Sequence, residues 1–451
     1  MVRPAIITTL AAAAVAAHYA NGSPAGLGAY VFLGALVTVF GIYSRGMRGQ
    51  NYWLSLTGLV EAWFIFDYCV YGTALSVLGR SKAPLAASLG DSYGKAYLVG
   101  AVALAAFAFG AHFAGFWPPR PRTEYTSTAP GRLVFLWFTL AGIASAIILL
   151  LDPESRRQLL YEHVGLSPRE GMGRYTALLF MLPTTAAGWW FLSSKPKPRA
   201  PLITLACLSL VAAIHLGYGR RLMWAGAMLL IFHLLRVRGI FTLRARHLAL
   251  ALPTTALIFV GMEATKNLGW YAAAQSIEIG ALADGHKLLE MVDNSVGRFD
   301  TTAALIANRE TLPYYHGETF LLAPLQALPV SAGFARSRGV REELGELIYG
   351  AFGQGLVSQE ASLVGELYAN FSYAGVAAGF LLVGLAAAWL DARCHHSRNP
   401  LVALGYGLCL FRAVHQLATA STSWFPLTVL AFLPWLVAAG FNALRRAGAT
   451  P

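Results

Sequence analysis

The sequence predicts an all-α integral membrane protein that crosses the bilayer many times. Hydrophobic residues make up 56% of its 451 residues and charged residues only 12%, whereas a soluble domain carries about 25% charge. Apolar runs near the ~20 residues needed to cross a bilayer recur along the chain. Such spans must be helices, because backbone polar groups in lipid have to be satisfied within the segment. A β-barrel would show short alternating segments instead.

The hydropathy pattern divides the chain into three parts. Nine spans occupy residues 1–265, a long and mostly polar stretch covers residues 266–370, and three spans follow in residues 371–451. The first span is rich in small residues, as a signal peptide is, but the topology favours an uncleaved helix. The twelve spans are predicted at residues 4–20, 27–44, 53–76, 95–117, 133–151, 174–193, 200–217, 222–236, 247–265, 371–390, 400–418 and 424–444.

The distribution of Lys and Arg predicts the orientation of the spans. With the N-terminus inside, the inner segments hold seventeen Lys and Arg, and the short outer loops hold nine. Cytoplasmic loops carry the excess of positive charge in membrane proteins. Both termini are therefore predicted in the cytoplasm, and the long loop in the periplasm. The formal charge of +12 is consistent with basic inner loops. The sequence has no basic run interleaved with aromatic residues, the pattern that would indicate a nucleic-acid partner.

Several common kinds of site are missing from the sequence. The four cysteines form neither a CxxC pair nor a disulfide framework. There is no GxxxxGK[ST] sequence of a nucleotide-driven pump and no HExxH metal motif. The pair His395-His396 lies in a predicted cytoplasmic loop and is interpreted as a solvated loop element. We therefore predict no metal and no cofactor.

Three arginines near or within spans are candidates for binding phosphate. Arg220 and Arg221 lie in a Gly-rich turn on the outer side, against the charge bias. Guanidinium groups offer fork geometry and permanent charge to a phosphate or pyrophosphate, and snorkelling at a helix end is the alternative. Arg412 lies within a span, where an arginine faces a partner or a wet cavity. A structural ion pair is the alternative there.

The long loop contains two motifs with titratable residues. Arg298 and Asp300, just before an apolar stretch, could be a phosphate ligand and a base, or a helix-start ion pair. The segment Tyr314-Tyr-His-Gly-Glu-Thr-Phe320 places Tyr314 and Tyr315 beside His316 and Glu318. Aromatic rings beside a carboxylate and an imidazole suit sugar stacking and hydroxyl binding. Interfacial aromatic packing is the alternative.

A third motif, Gly365-Glu-Leu-Tyr-Ala-Asn-Phe371, leads directly into a predicted span. Its carboxylate, Glu366, lies at the predicted membrane edge, where it could serve as a general base. Helix capping and a salt bridge are the alternatives. Tyr368, two residues later, joins the tyrosines that could bind sugar.

The residues of these motifs resemble those of the bacterial oligosaccharide repeat-unit polymerases, the Wzy-type O-antigen and exopolysaccharide polymerases. The resemblance covers roughly residues 210–425. The Gly365–Phe371 motif before a Gly-rich helix looks like the family signature. Four other elements are similar to family motifs, namely Arg298-Phe-Asp300, Tyr315-His-Gly-Glu-Thr-Phe320, Gly217-Tyr-Gly-Arg220 and Arg412.

One element departs from the family pattern. The family commonly shows Ile-Pro-Arg after the Gly-Glu-Thr element, and this chain has Leu328-Pro-Val330. Arg336 or Arg338 could supply the missing guanidinium.

The resemblance implies a membrane glycosyltransferase with a GT-C-like fold in the bacterial inner membrane, acting at the periplasmic face. It implies that a growing glycan on undecaprenyl pyrophosphate is transferred as a block to a hydroxyl of a new lipid-linked repeat unit. The expected partners are undecaprenyl-pyrophosphate-linked glycans, the lipid bilayer and a chain-length regulator. Two other functions stay open: an O-antigen ligase with a lipid A-core acceptor, and a lipid-linked sugar transporter.

This reaction needs a pyrophosphate site and a base. The predicted pyrophosphate site consists of Arg220, Arg221, Arg298 and Arg412. For the base, Glu366 is preferred over Asp300 and His316, since partial desolvation at a membrane edge raises the pKa of a carboxyl toward the useful range.

Overall fold

The computed structural model describes residues 55–78, 90–115, 298–310, 314–325, 361–394, 399–419 and 421–447, with isolated residues between them. The described part of the chain is helical and contains no strand, which confirms the predicted helical class there. Its elements are α1 (Leu56–Phe64), a π-helix (Ile65–Tyr71), α2 (Gly72–Leu78), α3 (Gly90–Gly115), α4 (Phe299–Ala307), α5 (Glu318–Leu322), α6 (Leu363–Cys394), α7 (Pro400–Ala418) and α8 (Ser421–Ala447).

Three of these helices are long and apolar enough to cross a membrane, over Ser92–Ala114, Leu363–Cys394 and Pro400–Ala418. They overlap the predicted spans 95–117, 371–390 and 400–418. A shorter apolar helix, Ala431–Leu444, lies within the predicted span 424–444.

The segment formed by α1, the π-helix and α2 coincides with the predicted span 53–76. Three predicted spans lie outside the described residues, namely 4–20, 200–217 and 247–265. Only isolated residues are described in four others, namely 27–44, 133–151, 174–193 and 222–236.

Helices α3 and α6 pack with their backbones close together, and glycines make this possible. A Cβ atom added at Gly110 would lie 2.1 Å from the carbonyl oxygen of Leu381. One added at Gly384 would lie 2.1 Å from the carbonyl oxygen of Phe107. Small residues let backbones approach closely where lipid supplies no hydrophobic force between helices. The pair therefore depends on backbone proximity that larger side chains would prevent.

Helix α6 is interrupted at Ser372, which has φ 58° and ψ −152°. The interruption divides it into a first part, which carries Glu366 and Asn370, and a longer apolar part that continues to Cys394. Non-glycine residues adopt such a left-handed φ rarely and at some cost. The sequence placed the start of this span at residue 371, next to the interruption.

A buried carboxylate joins α6 to α1 and α7 at the other end of the bundle. Asp391 accepts hydrogen bonds from the backbone N–H groups of Leu56 and Thr57, at 2.9 and 3.0 Å. It also accepts from the hydroxyls of Thr57 and Tyr406, at 2.7 and 2.6 Å. Because the first amides of a helix lack intrahelical acceptors, Asp391 serves as a cap for α1 supplied by another helix.

Candidate functional site

The motifs of the long loop meet at the junction between α7 and α8. The Nε of Arg298 donates to the carbonyl oxygen of Ala418, the last residue of α7, at 2.8 Å. Glu366 accepts from the backbone N–H of Ser421, the first residue of α8, at 2.6 Å. The Thr319 carbonyl oxygen lies 3.3 Å from the Ser421 hydroxyl. Residues from three separate loop motifs are thus held within one hydrogen-bonded cluster.

Arg298 stands at the start of α4, and its backbone is held by a residue far away in sequence. Its N–H donates to Oδ1 of Asp67 in the π-helix, at 2.6 Å, and the N–H of Phe299 donates to the same oxygen at 3.2 Å. The hydroxyls of Thr301 and Thr302 donate to the carbonyl oxygen of Arg298. Sequence reasoning missed Asp67. An acidic residue inside an apolar span was the available signal.

Asp300 is enclosed in the first turn of α4. Only 2% of its surface is exposed, and its Oδ1 accepts from the backbone N–H of Thr301 at 2.8 Å. A carboxylate in the first turn of a helix is stabilised by the unpaired amides there. Its predicted role as a base stays a prediction.

The Gly-Glu-Thr element forms a tight turn whose shape depends on Gly317. His316 has φ 47° and Gly317 has φ 90°, so two consecutive residues are left-handed. A Cβ at Gly317 would lie 2.8 Å from the ring of Phe371. Glycine is the residue for which this backbone conformation has no steric cost. The turn leaves Tyr315 and Thr319 buried and turns His316 and Glu318 outward.

Asn370 joins this turn to the first part of α6. Its Oδ1 accepts from the N–H of Gly317 at 2.8 Å, and its Nδ2 donates to the Thr319 hydroxyl at 2.9 Å. The same amide nitrogen lies 2.8 Å from the carbonyl oxygen of Glu366. Asn370 is fully buried. It belongs to the family-like motif, but no role is predicted for it from the sequence.

Glu366 is fully buried, and both of its carboxylate oxygens contact Ser421. One accepts from the backbone N–H, and the other accepts from the hydroxyl at 2.5 Å. Glu366 therefore caps α8 from a neighbouring helix, which was one of the alternatives predicted from the sequence. Its role as the base stays a prediction.

An exposed rim of aromatic residues surrounds the turn. Tyr314 is 46% exposed, and Phe371 and Tyr373 are exposed beside the α6 interruption. The guanidinium carbon of Arg309 lies 3.1 Å from the centre of the Tyr314 ring. The hydrogen bond from Arg309, together with one from Ser372, lowers the pKa of Tyr314 below its ordinary value. This rim of exposed rings and polar groups could contact a sugar.

The predicted sugar-binding residues separate into two groups. Tyr314 and Glu318 are exposed. Tyr315 and Tyr368 are each only 8% exposed. Tyr315 packs into a small apolar cluster that includes Ala304 and Leu305. The first pair is therefore available to a ligand, whereas the second pair mainly supports the turn and α6.

The predicted pyrophosphate-binding arginines are described only in part. Arg412 is 2% exposed in α7, and its Nε donates to the Thr428 hydroxyl of α8 at 3.4 Å. It precedes Ala418, the contact of Arg298, by six residues, which is about 9 Å along a helix. Arg298 therefore contacts the last residue of α7, whereas Arg412 lies earlier in α7 and contacts α8 at Thr428, seven residues beyond Ser421. Arg220 and Arg221 lie outside the described residues.

Among the described residues no group of three or more His, Cys, Asp or Glu side chains could hold a metal ion. Comparison of the chain with protein-family models, with curated proteins and with solved structures gives no match.

Proposed function

We propose that this chain is a membrane glycosyltransferase that polymerises undecaprenyl-pyrophosphate-linked oligosaccharide repeat units. The observation that carries the proposal is the cluster at the α7–α8 junction. Arg298, Glu366 and Thr319 come from three motifs of the long loop, and all three contact Ala418 or Ser421. The residues of these motifs resemble those of the polymerases, and their convergence is what one shared site requires.

The reaction needs positive charge where the leaving group departs. The acceptor hydroxyl oxygen attacks the anomeric carbon of the growing glycan, and the bond from that carbon to the pyrophosphate oxygen breaks. Undecaprenyl pyrophosphate leaves with the bonding electrons. Arg298 contacts the last residue of α7, and Arg412 is a buried residue of the same helix. In this proposal their guanidinium groups stabilise the negative charge that develops on the leaving group in the transition state.

The hydroxyl proton must pass to a base that the acceptor can reach. His316 is exposed on the rim beside Tyr314, at a ring distance of 5.9 Å. Glu366 and Asp300 are buried and hydrogen-bonded. We therefore assign proton removal to His316 in this proposal, and sugar contacts to Tyr314 and Glu318. Glu366 as the base is the alternative assignment.

The proposed setting is the bacterial inner membrane, with twelve spans in a GT-C-like fold. Both termini would be cytoplasmic, and the site would face the periplasm. The long apolar helices support insertion into a membrane, and the seventeen-to-nine division of Lys and Arg supports the orientation.

Deletion of the gene tests the function. We expect the ladder of long glycan chains to collapse to single repeat units. A lipid A-core that loses its glycan while long chains still accumulate on undecaprenyl pyrophosphate would identify a ligase. Accumulation of single repeat units on the cytoplasmic face would identify a transporter. Either of these results would overturn the polymerase proposal.

A further inference from the structure

We propose that Asp67 is a positioning residue for Arg298. Its carboxylate sets the backbone from which the Arg298 side chain reaches the α7–α8 junction. The inference rests on the proposed function for the role of Arg298 at pyrophosphate. It adds a residue that lies far outside the loop motifs, in a predicted span 231 residues earlier in the chain.

The N-cap side chain of α4 cannot accept hydrogen bonds from the first amides of the helix, so Asp67 provides the acceptor. The first N–H groups of a helix have no intrahelical partner. Arg298 occupies the N-cap position and makes no side-chain capping hydrogen bond, since a guanidinium has no acceptor. Oδ1 of Asp67 therefore accepts from Arg298 and Phe299 together, at 2.6 and 3.2 Å.

Ring packing fixes the next residue at the same place. The Phe299 ring lies 4.5 Å from the ring of Tyr97 and 5.3 Å from that of Tyr68. Tyr97 in turn donates its hydroxyl hydrogen to the carbonyl oxygen of Tyr68 in the π-helix, at 3.0 Å. With the Arg298 and Phe299 amides held by Asp67 and the Phe299 ring held by tyrosines, the Arg298 side chain starts from a fixed point.

The π-helix is the element that carries this acceptor. It covers Ile65–Tyr71 between two α-helical segments, and single π-turns inside α-helices occur frequently at functional sites. Asp67 is fully buried there, and its Oδ2 has no hydrogen-bond partner among the residues that the structure describes. A buried carboxylate with an unsatisfied oxygen is costly. Stability alone therefore explains Asp67 poorly.

The test uses purified full-length protein and two readouts, polymerisation kinetics and thermal stabilisation by inorganic pyrophosphate. Asp67→Leu removes the acceptor, and we expect a loss in kcat/KM of about 100-fold, as for a displaced catalytic group. Arg298→Ala should show a similar loss. Adding Asp67→Leu to Arg298→Ala should lower kcat/KM little further, because the side chain that Asp67 positions is already absent.

Two further variants separate position from charge and remain informative if Asp67→Leu fails to fold. Asp67→Asn keeps an oxygen acceptor, and we expect it to retain kcat/KM within about fivefold, since a neutral acceptor is the weaker one. Asp67→Glu keeps the charge but moves the carboxylate by one methylene, so we expect a larger loss than for Asn. The reverse order of these two variants would overturn the inference.

Asp391→Leu is the matched control, because Asp391 is a second buried carboxylate that caps a helix from another element. We expect it to lower the unfolding temperature while stabilisation by pyrophosphate persists. If Asp67→Leu keeps full stabilisation by pyrophosphate and Arg298→Ala loses it, Asp67 has no positioning role. If Arg298→Ala keeps both readouts, the arginine site of the proposed function fails instead, whatever Asp67 does.

Discussion

The substitution Glu366→Gln separates a helix cap from a catalytic base. In the structure one carboxylate oxygen accepts from the Ser421 N–H and the other accepts from the Ser421 hydroxyl. A glutamine can satisfy both contacts. Its oxygen would accept from the N–H, and its amide nitrogen would donate to the hydroxyl oxygen. The hydroxyl hydrogen could then turn to the carbonyl oxygen of Thr319, which lies 3.3 Å away.

Because glutamine keeps both contacts with Ser421, Glu366→Gln should lower the free energy of unfolding less than Glu366→Ala does. Hydrogen bonds to a charged group contribute about 1.5–3 kcal/mol and neutral ones about 1 kcal/mol. Exchanging two of the first kind for two of the second should lower the free energy of unfolding by about 1–4 kcal/mol. Glu366→Ala leaves the buried Ser421 N–H without its acceptor, which by itself costs about 1–3 kcal/mol, and it removes both bonds.

The assay combines thermal unfolding with chain-length analysis of glycan made from lipid-linked repeat units. As a cap, Glu366 can be replaced by Gln with a loss of activity below about tenfold, whereas loss of a general base costs about 10²–10⁴-fold. Ser421→Ala is the matched control, since it disturbs the same cap and leaves the carboxylate in place. A Glu366→Gln protein that unfolds at the wild-type temperature but has lost activity more than 100-fold would refute the cap and identify Glu366 as the base.

Three further predictions address the base, the helix pair and the topology. His316→Asn should lower kcat by about 10²–10⁴-fold at unchanged stability, because Asn tolerates the left-handed backbone; wild-type kinetics would exclude His316 as the base. Gly384→Ala should lower the free energy of unfolding by about 1–3 kcal/mol, because the new Cβ would overlap backbone atoms of α3. Gly440→Ala is the control and should leave the stability unchanged, because a Cβ there has nothing within 4 Å. Equal melting curves for the two variants would contradict the close contact. A cysteine at Ser331 in a cysteine-free background should be labelled from outside in intact spheroplasts, and labelling only after lysis would reverse the predicted topology.

The helices could be predicted from the sequence because hydropathy is a property of each segment alone. The span predicted at residues 400–418 coincides with α7, Pro400–Ala418. Its start is marked by Pro400 and by Asn399, whose side chain accepts from the N–H of Leu401. Proline and Asn are the residue types expected at the beginning of a helix. A local signal of this kind needs no knowledge of neighbours.

The links between the motifs could not be predicted in the same way. The bond from Arg298 to Asp67 joins residues 231 positions apart, and no periodicity specifies which span an N–H group will meet. The amide of Asn370 is satisfied only because the Gly317 turn folds onto it. The interruption at Ser372 is likewise invisible, since serine does not favour a left-handed φ and nothing in the local sequence requires it there.

The bond between Asp67 and the start of α4 bears on how this protein could be re-engineered. Grafting residues 266–370 alone is the simplest way to try to move the proposed donor or acceptor preference between related chains. Such a graft would separate the amides of Arg298 and Phe299 from the carboxylate that receives them, which belongs to the first part of the chain. It would also separate the Gly317 turn from Phe371, which limits the turn sterically. An exchange that preserves these contacts would have to carry the segment around Asp67 and the beginning of α6 with the loop, so the residues that hold the loop motifs in place are discontinuous in the sequence.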